Sequence, residues 1–454
     1  MCGIAGAFRQ PAWDVTAALA RIRHRGPDGD GVVTHGDMTH GHVRLAVLDL
    51  TSASAQPFRY RDAVLSFNGE VWNYRELRKE LAALGHAFTT TGDTEVLAAA
   101  LYQWGTEALN RIEGMFAFAW SRGSTYLLAR DRFGKIPLYV RRKGGSFTWA
   151  SERKAWAHGA STAAPLPPAT WLDLTTGKVH TYYTIPATGH DDASILSLLR
   201  AGVSRRMVAD APLCVLISGG LDSTVILTLA KAIRPDVVAY TAKLDGGAED
   251  LRSARRVCVD LGIPLREVQV AAPTAASIED AVRAIEIPSK AQTEIAALCI
   301  PLAKRIAADG FKVCLSGEAS DELFGGYGNM AIAASQPGAD WREIRLVQVA
   351  KMARGNFVRC NKAFMAAGVE CRLPFMERSL VETVLGMSKA QCPPGKGALK
   401  NAVRSIVPEW VIKRQKDTFQ GSSGMADACA RIIAKPVMFY NATVRTAFGG
   451  MVEA

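Results

Sequence analysis

The pattern of hydrophobic positions changes once along the chain, close to residue 190. Before that point, short apolar runs alternate with turn residues, and Gly, Asn, Asp or Pro bounds most of the runs. Runs of this kind predict the strands of stacked antiparallel sheets. The predicted strands are VRLAVLDL (43–50), AVLSFNGEVW (63–72), MFAFAW (115–120), TYLLARD (125–131) and SFTWASE (146–152).

Two helices and a final hairpin complete this first half. The segments ELRKELAALG (76–85) and DTEVLAAALYQWG (93–105) have the apolar spacing of helices. STAAPLPPAT (161–170) is Pro-rich and predicts a turn, whereas DLTTGKVHTYYTI (173–185) predicts one last hairpin. We therefore expect a change of structural unit soon after this hairpin.

The second half alternates helical patterns with short buried strands. The helical segments are ASILSLLRAGVSRRMV (193–208), STVILTLAKAI (223–233) and EIAALCIPLAKRIAADG (294–310). The strands between and after them are PLCVLIS (212–218), VVAYTA (237–242) and KVCLS (312–316). This alternation predicts a parallel sheet flanked by helices, in which ligands bind beyond the carboxyl ends of the strands.

Length and composition agree with two domains. The 454 residues are 48% hydrophobic and 21% charged, which suffices for two cores at roughly 150 residues a domain. We place the domains at 1–190 and 191–454. No window approaches the ~18 uncharged apolar residues that span a bilayer, and the start lacks the pattern of a secretory leader. We therefore expect a cytoplasmic protein with no membrane partner.

Cysteine usage and charge narrow the classes of function. The nine cysteines are scattered without C-x-x-C pairs, which argues against a disulfide framework or a zinc cluster. The net charge of +11 is spread along the chain and forms no basic tract, so nucleic acid is not an expected partner. A diffuse positive field instead favours small anions such as nucleotides.

The opening segment MCGIAG contains a candidate nucleophile. Removal of Met1 would leave Cys2 as the first residue, with a thiol and a free α-amine on the same residue. That amine, with a reference pKa of about 7.7–8.0, can accept the thiol proton near neutral pH. An incidental cysteine at this position is the alternative reading of Cys2 taken alone.

Two strand ends in the second half carry candidate phosphate chemistry. LCVLISGGLDST closes a buried strand at Ser218 and opens a helix after two glycines, which is suited to cradling pyrophosphate but is also typical of a simple helix cap. KVCLSGEASDELFGGY repeats the Ser-Gly ending and adds three acids, Glu318, Asp321 and Glu322. Acids at two strand ends of one sheet predict a Mg²⁺ site between Asp222 and Asp321, completed by nucleotide phosphates.

These second-half motifs resemble the synthetase domain of the glutamine-dependent asparagine synthetases, a family of pyrophosphatase-loop ATP enzymes. The likeness continues through RCNKAFMAAGVECRLPFMER (359–378), GKGALKNAVRSIVPEW (395–410) and KRQKDTFQGSSG (413–424). It implies that Asp222 and Asp321 hold the metal, that Glu318 assists nucleophilic attack and that Lys416 neutralises pyrophosphate. The ATP-binding residues it implies are Leu216, Ser218, Gly219, Gly220, Asp222, Ser223, Ser316 and Gly317.

The first half resembles the N-terminal-nucleophile glutaminase domain of the same family, through MCGIAG, RGPDGDG (25–31), HVRLAVLDL (42–50), FNGEVWNY (67–74) and TGDTEVL (91–97). The resemblance implies that Cys2 attacks the glutamine amide. Asn68 and the Gly69 N–H would then form the oxyanion hole. Arg44 would bind the glutamine carboxylate and Asp93 its ammonium group. Glu70 and Arg25 would support this pocket.

The resemblance implies a two-domain α+β and α/β fold: an αββα glutaminase sandwich followed by a parallel-sheet, adenine-nucleotide-hydrolase-like synthetase domain. The expected substrates are glutamine, ATP with Mg²⁺, and aspartate; a homodimer is compatible with the sequence. Three differences from the family pattern leave another carboxylate acceptor open. Glu377 stands where the family has Asp, KLDGGAED (243–250) lacks the expected SPD-like sequence, and the tail after GSSG is short. A non-catalytic binding protein is disfavoured because both sets of acids are intact.

Overall fold

A computed structural model describes residues 1–158, 160–187, 194–244, 249–414, 425–433 and 439–443 of the chain. Twelve strands of the first half form two six-stranded antiparallel sheets. One sheet has the order β10-β8-β9-β1-β3-β2 and the other the order β12-β11-β7-β6-β5-β4. The strands are β1 Gly3–Phe8, β2 Gly29–His35, β3 Met38–Arg44, β4 Phe58–Tyr60, β5 Ala63–Val71, β6 Gly114–Arg122, β7 Thr125–Arg130, β8 Tyr139–Lys143, β9 Ser146–Ala150, β10 Ala164–Pro165, β11 Thr170–Asp173 and β12 Val179–Thr181.

The two sheets pack face to face and carry helices on their outer sides. Strands β3 and β1 of one sheet contact β5 of the other, which explains why β5 is buried along its whole length. Helix α1 (Val15–Arg21) lies on β1 and β3, whereas α2 (Tyr74–Ala83) packs on α3 (Thr94–Trp104), which covers β4 and β5. The short α4 is Ala108–Arg111. This αββα arrangement confirms the predicted sandwich.

The second half contains a five-stranded sheet of order β15-β14-β13-β16-β17 in which every pairing is parallel. The predicted parallel sheet is therefore confirmed. Its strands are β13 Leu213–Leu216, β14 Ala239–Leu244, β15 Leu265–Val270, β16 Val313–Leu315 and β17 Glu370–Arg372. The helices are α5 Ile195–Arg206, α6 Leu221–Ile233, α7 Glu249–Leu261, α8 Ala275–Ile285, α9 Lys290–Ala308, α10 Ser320–Phe324, α11 Gly328–Ala334, α12 Trp341–Met352, α13 Asn356–Met365, α14 Arg378–Gly386, α15 Gly397–Ala402, α16 Glu409–Lys413 and α17 Met425–Ala430.

Side chains that accept backbone N–H groups mark several helix starts. Ser194 caps α5 by accepting from the Ser197 N–H, and Thr274 and Ser277 exchange bonds as a capping box at α8. Such caps satisfy N–H groups that have no partner inside the helix. Helices α5, α8, α9 and α12 therefore begin where a short polar residue precedes the first helical turn.

The predicted strand over 43–50 is wrong for most of its length. Strand β3 ends at Arg44, and the residues that follow form a largely buried loop. Asp49 has a φ of +48°, which an extended strand does not allow, and its N–H is bonded to the Asp210 carboxylate at 2.7 Å. The segment is apolar because the loop is covered by other residues and not because it belongs to a sheet.

Within the described residues, no helix is both long and apolar enough to cross a membrane. The expected domain boundary at residue 190 falls within 188–193, outside the described residues, so the domains 1–190 and 191–454 stay a prediction. The last element of the antiparallel sheets is β12 and the first helix beyond is α5.

Candidate functional site

The first site surrounds Cys2, which is buried just before β1. Its backbone N–H donates to Asn68 Oδ1 at 2.9 Å, and its Sγ lies 3.4 Å from the Leu45 backbone N. The Asn68 amide is itself held by Ser151 Oγ at 3.3 Å. Burial raises the pKa of the Cys2 thiol. A base beside the thiol is therefore needed to make it a nucleophile near neutral pH.

Arg25 holds the backbone of Cys2 in place. This fully buried side chain donates from Nε to the Cys2 carbonyl at 2.9 Å. One terminal nitrogen donates to Glu152 at 2.6 Å and the other to Asn361 Oδ1 at 3.0 Å. Asn361 lies on α13, so the contact joins the two halves of the chain. The structure thus places the Arg25 guanidinium in contact with the main chain of Cys2.

Gly69 follows Asn68 on β5 in a conformation that requires glycine. Its φ is +150°, and a Cβ at this position would lie 2.0 Å from the Met115 carbonyl oxygen on β6. Any side chain would therefore force the two central strands of the sheet apart. The structure places Asn68 beside Cys2, through the bond from the Cys2 N–H to the Asn68 side chain, and the oxyanion-hole role of the pair stays a prediction.

Two buried carboxylates, Glu70 and Asp93, lie on the same side of this site. Asp93 Oδ2 accepts the Val71 N–H at 2.8 Å, and Glu70 lies 3.4 Å from an Arg372 nitrogen of β17. Burial raises the pKa of Asp93 to about 8, with the Glu70 charge adding to the shift. Burial also raises the pKa of Glu70, although Arg372 opposes it. Asp93 therefore keeps its proton at neutral pH, and a cationic group beside it would favour release of that proton.

Arg44 is the last residue of β3, one residue before Leu45, whose backbone N contacts the Cys2 thiol. Its guanidinium donates to the carbonyl oxygens of Thr51 at 2.7 Å and Asp49 at 2.5 Å. The side chain therefore orders the loop that follows its own strand.

Met1 precedes Cys2 and lies at the junction between the two halves. Its side chain is buried, and its α-amine forms an ion pair with Glu370 of β17. Burial lowers the pKa of this amine. Glu370 also accepts from Arg372 Nε at 2.5 Å, so it keeps a cationic partner if Met1 is removed.

The second site is a cavity of about 530 Å³ at the carboxyl ends of the parallel strands. Strands β13 and β14 and the turn after β16 contribute to its wall, together with α9 and α13. This is the edge of the sheet at which ligands are expected to bind. Its lining includes Leu216, Ser218, Gly220, Asp222, Ser223, Ser316, Gly317, Glu318 and Asp321.

The loop after β13 has the geometry of an anion cradle. Gly219 has a φ of +75°, and a Cβ there would lie 2.5 Å from the Ala254 backbone N of α7. Gly220 is the N-cap of α6, and the hydroxyls of Ser218 and Ser223 lie 3.1 Å apart. The helix N-terminus and the adjacent N–H groups can therefore receive phosphate oxygens.

The two predicted strand ends meet directly. A Cβ on Gly317, after β16, would lie 2.8 Å from the Ser223 backbone N and 3.0 Å from the Asp222 Cβ. Only glycine allows this approach, so the second Ser-Gly turn packs against the first. The residues that the sequence assigned to ATP therefore lie in one place.

Asp222 and Asp321 face a common cation, which is Lys396. The Lys396 ammonium lies 2.6 Å from Asp222 Oδ2 and 2.7 Å from Asp321 Oδ1. Lys396 is nearly fully buried and has a left-handed backbone, with a φ of +65°, just before α15. The sequence analysis missed its role because it lies 174 residues from Asp222, and only its place in the GKGALK motif pointed to it.

The two aspartates also suit a magnesium ion. Among the described residues, no group of three or more His, Cys, Asp or Glu forms a protein-only metal cluster. Mg²⁺ at phosphate sites is typically held by one or two carboxylates plus the phosphates themselves, so this pair fits. Lys396 would then share the two carboxylates with the metal.

Glu318 belongs to a polar network on the cavity wall. Its Oε1 accepts from Asn356 at 2.8 Å, and its Oε2 accepts from Arg359 at 2.5 Å. Asn356 also donates to Glu322 at 2.7 Å, and burial beside Glu318 raises the pKa of Glu322 to about 7. Arg359 is the first residue of the motif at 359–378, but its position in the sequence does not indicate that it pairs with Glu318.

Three other features that the sequence analysis named are not brought into either site by the described residues. Lys416 lies outside the described residues, as do 245–248 of the KLDGGAED segment. Glu377 is buried and forms ion pairs with the buried Arg206 and the partly exposed Arg205 of α5, away from the cavity lining.

Comparison with known proteins identifies two domains. Residues 1–183 match the model of the glutamine amidotransferase domain, and residues 194–339 and 333–436 match that of asparagine synthase. The chain is thus a two-domain protein that joins an amidotransferase to a synthase unit. It belongs to the asparagine synthase family.

Named relatives cover nearly the whole chain. Asparagine synthetase B [glutamine-hydrolyzing] of Escherichia coli strain K12 is 29% identical over 481 residues, covering 96% of this chain and 85% of the relative. Asparagine synthetase [glutamine-hydrolyzing] 2 of Arabidopsis thaliana is 30% identical, covering 89% and 75%. A solved glutamine phosphoribosylpyrophosphate amidotransferase from B. subtilis, complexed with ADP and GMP, shares 20% identity over 59% of this chain and 66% of that one, with a TM-score of 0.36.

Asp93→Asn should stabilise the protein at pH 7. The folded chain keeps the Asp93 proton up to about pH 8, whereas the unfolded chain releases it above about pH 3.8, so folding stability falls as pH rises through this window. The variant should not show this loss, and its free energy of unfolding at pH 7 should exceed that of the wild type by about 2–4 kcal/mol. Urea unfolding at intervals between pH 4 and 8 measures it. The exposed Asp236→Asn is the control, and equal slopes for wild type and Asp93→Asn would contradict the shifted pKa.

Lys396→Met should slow synthesis under both nitrogen sources. Removal of one preorganised group that stabilises charge in the transition state typically costs about 10²–10³-fold in rate. Lys400→Met, on the same short helix, is the matched control because its ammonium has no side-chain partner among the described residues. Steady-state AMP release with glutamine and with ammonia measures both. If the variant loses only the glutamine-driven reaction, Lys396 serves the Cys2 site and not the cavity at the parallel sheet.

Proposed function

We propose that this protein is a glutamine-dependent asparagine synthetase, a carbon–nitrogen ligase with glutamine as amido donor. Aspartate and ATP would give β-aspartyl-AMP and pyrophosphate. Ammonia released from glutamine at the Cys2 site would then displace AMP and give asparagine. The observation that carries the proposal is the coexistence in one chain of a buried Cys2–Asn68 pair and a cavity with an anion cradle and paired aspartates.

At the first site, Cys2 would attack the glutamine amide once Met1 is removed and its own α-amine can take the thiol proton. Asn68 and the Gly69 N–H would stabilise the oxyanion. Arg44 would bind the substrate carboxylate as a two-pronged donor, while Asp93 would pair with the ammonium group and give up its proton. Glu70, behind Asp93, and Arg25, on the Cys2 carbonyl, would keep the pocket in shape.

At the second site, the turns after β13 and β16 would bind ATP through the residues that meet there. Leu216, Ser218, Gly219, Gly220, Ser223, Ser316 and Gly317 would form this pocket. Asp222 and Asp321 would hold Mg²⁺, which supplies charge stabilisation for a departing pyrophosphate. Lys396 would add a fixed positive charge beside them, and Lys416 would neutralise the same leaving group.

Glu318 would take the proton from ammonia during attack on the acyl-adenylate. Its carboxylate lies on the wall of the cavity that holds the ATP residues, and Asn356 and Arg359 fix its two oxygens. A general base must be positioned before its pKa matters, and this network supplies the position.

An acceptor assay tests the proposal. The protein is incubated with glutamine, ATP, Mg²⁺ and a panel of carboxylic acids, and AMP and amide products are identified by mass spectrometry. Asparagine formed from aspartate supports the assignment. If an amide of another acid forms and asparagine does not, both half-reactions stay as proposed and the acceptor is that other acid. Absence of AMP with every acid would overturn the ligase assignment.

We further propose that the enzyme works in the cytoplasm.

Cys2→Ala should abolish glutamine-driven synthesis and leave ammonia-driven synthesis at the wild-type rate. The thiol serves only the first site, and free ammonia bypasses it. Asparagine formation with each nitrogen source measures the effect, with Cys258→Ala on α7 as a control for loss of a buried cysteine. Persistence of the glutamine-driven rate would sink the nucleophile assignment.

Glu318→Gln should retain ATP binding but slow amide formation with either nitrogen source by about 10²–10⁴-fold. The competing role is structural, because Glu318 also pairs with the buried Arg359. Single-turnover amide formation is therefore measured beside the thermal midpoint, with the exposed Glu343→Gln as control. A variant that melts earlier yet keeps near-normal chemistry would show that Glu318 only supports Arg359.

A further inference from the structure

A second large cavity, of about 510 Å³, lies between the two halves of the chain and apart from both sites described above. The first half contributes β8, β10 and the residues around them, whereas the second half contributes the end of α8 and the start of α13. Its lining carries three arginines, Arg130, Arg153 and Arg354, against one carboxylate, Glu286. The cavity is therefore positively charged, and no role proposed for the enzyme uses it.

Arg153 is the central feature of this interdomain cavity. Its side chain is only 8% exposed, and its guanidinium stacks 4.4 Å from the centre of the Tyr139 ring. Its Nε donates to the Ala163 carbonyl at 3.1 Å, but within the described part of the chain its terminal nitrogens have no acceptor. Because the described residues supply no acceptor for these nitrogens, they are available to an anion in the cavity.

The other charges around the cavity do not neutralise Arg153. Glu286 pairs with Lys362 and accepts the backbone N–H groups of Arg153 and Lys154 at 2.9 and 2.8 Å, so its charge is already balanced. Arg130 donates to the carbonyls of Ile136, Leu166 and Gly134, each at 2.7 Å, and keeps its positive charge.

Arg354 adds a second available guanidinium at the more exposed rim. It precedes α13, and in the described ranges its side chain has no hydrogen-bond acceptor or carboxylate partner. Two guanidiniums from opposite halves of the chain therefore face one space. Guanidinium groups bind phosphate in a two-pronged manner and tolerate burial better than ammonium groups.

We propose that this interdomain cavity binds a small phosphorylated ligand of nucleotide size, held by Arg153 and Arg354. The phosphate would lie between the two guanidiniums, with the Ser161 hydroxyl available as a further donor. The rest of the ligand would lie against the apolar part of the lining, which includes Leu138, Ile287, Pro288 and Val358. A volume of about 510 Å³ falls in the range of ordinary small-molecule sites, far larger than a single inorganic phosphate needs.

The position of the cavity gives such a ligand a route to both reaction sites. Val358 of its lining lies on α13, and the same helix carries Arg359, which binds Glu318, and Asn361, which binds Arg25. A phosphate that draws Arg354 towards Arg153 would act on the first turn of α13. Binding therefore has a direct mechanical connection to the helix that contacts both sites.

Photolabelling with 8-azido-AMP, followed by peptide mapping, tests the proposal and separates this cavity from the synthetase cavity. We expect label on residues 160–166 or 286–289, in addition to label around the ATP pocket. Arg153→Met and Arg354→Met should each reduce the interdomain label by about tenfold or more, because each removes a charged hydrogen-bond donor. Arg142→Met on β8, an exposed arginine outside the lining, should change neither label.

The outcomes are distinct. Interdomain label that AMP displaces, and that both variants lose while their thermal midpoints stay near wild type, supports the site. Arg354 is at the surface, so this variant remains informative if Arg153→Met fails to fold. Label confined to the ATP pocket overturns the site itself. Interdomain label displaced by citrate but not by AMP or inorganic phosphate overturns its assignment to phosphorylated ligands. Each result is independent of whether aspartate is the acceptor.

Discussion

Buried charge has to be compensated, and this requirement determines how the two halves of the chain are joined. Arg25 of the first half is fully buried and bonds Glu152 beside it and Asn361 across the junction. Glu286 of the second half forms an ion pair with Lys362 and accepts a backbone N–H of the first half, from Arg153. Removing one partner of such a pair leaves an uncompensated charge, which typically costs about 3–5 kcal/mol. The relative position of the two sites therefore depends on these polar contacts as much as on apolar packing.

The two sites treat their acids in opposite ways. Asp93 and Glu70 are buried near each other, so burial raises the pKa of both. Asp222 and Asp321 instead share the Lys396 ammonium at hydrogen-bond distance. The first arrangement suits a substrate that brings its own positive charge, whereas the second suits phosphate groups, which arrive with negative charge and a metal.

The fold could be predicted from the sequence wherever local pattern and burial agree. Strands β5 and β6 and the alternating helices of the second half follow from runs of apolar residues with clear boundaries. The segment after Arg44 misled because a covered loop and a strand have the same hydrophobic content. Periodicity reports burial, and it does not report which backbone groups are paired.

Some residues of the candidate sites could also be predicted from the sequence, and others could not. Residues within short motifs, such as Asn68 and Gly69, could be found because their neighbours in sequence are also their neighbours in space. Lys396 and Asn356 could not, because each meets its acids only after the parallel sheet has brought distant segments together. A single sequence carries no signal for a contact across such a distance unless a motif already names it.

The bond between Arg25 and Asn361 has a consequence for recombination between relatives. An exchange of first halves among family members would transfer the guanidinium behind Cys2 without the amide that receives it from α13. A chimera of this kind keeps each motif intact, and it holds the main chain of Cys2 in the same way only where its second half supplies an amide in the place of Asn361. Arg25 and Asn361 should therefore be exchanged together. A crossover point that takes both residues from the same parent keeps the bond between the two halves.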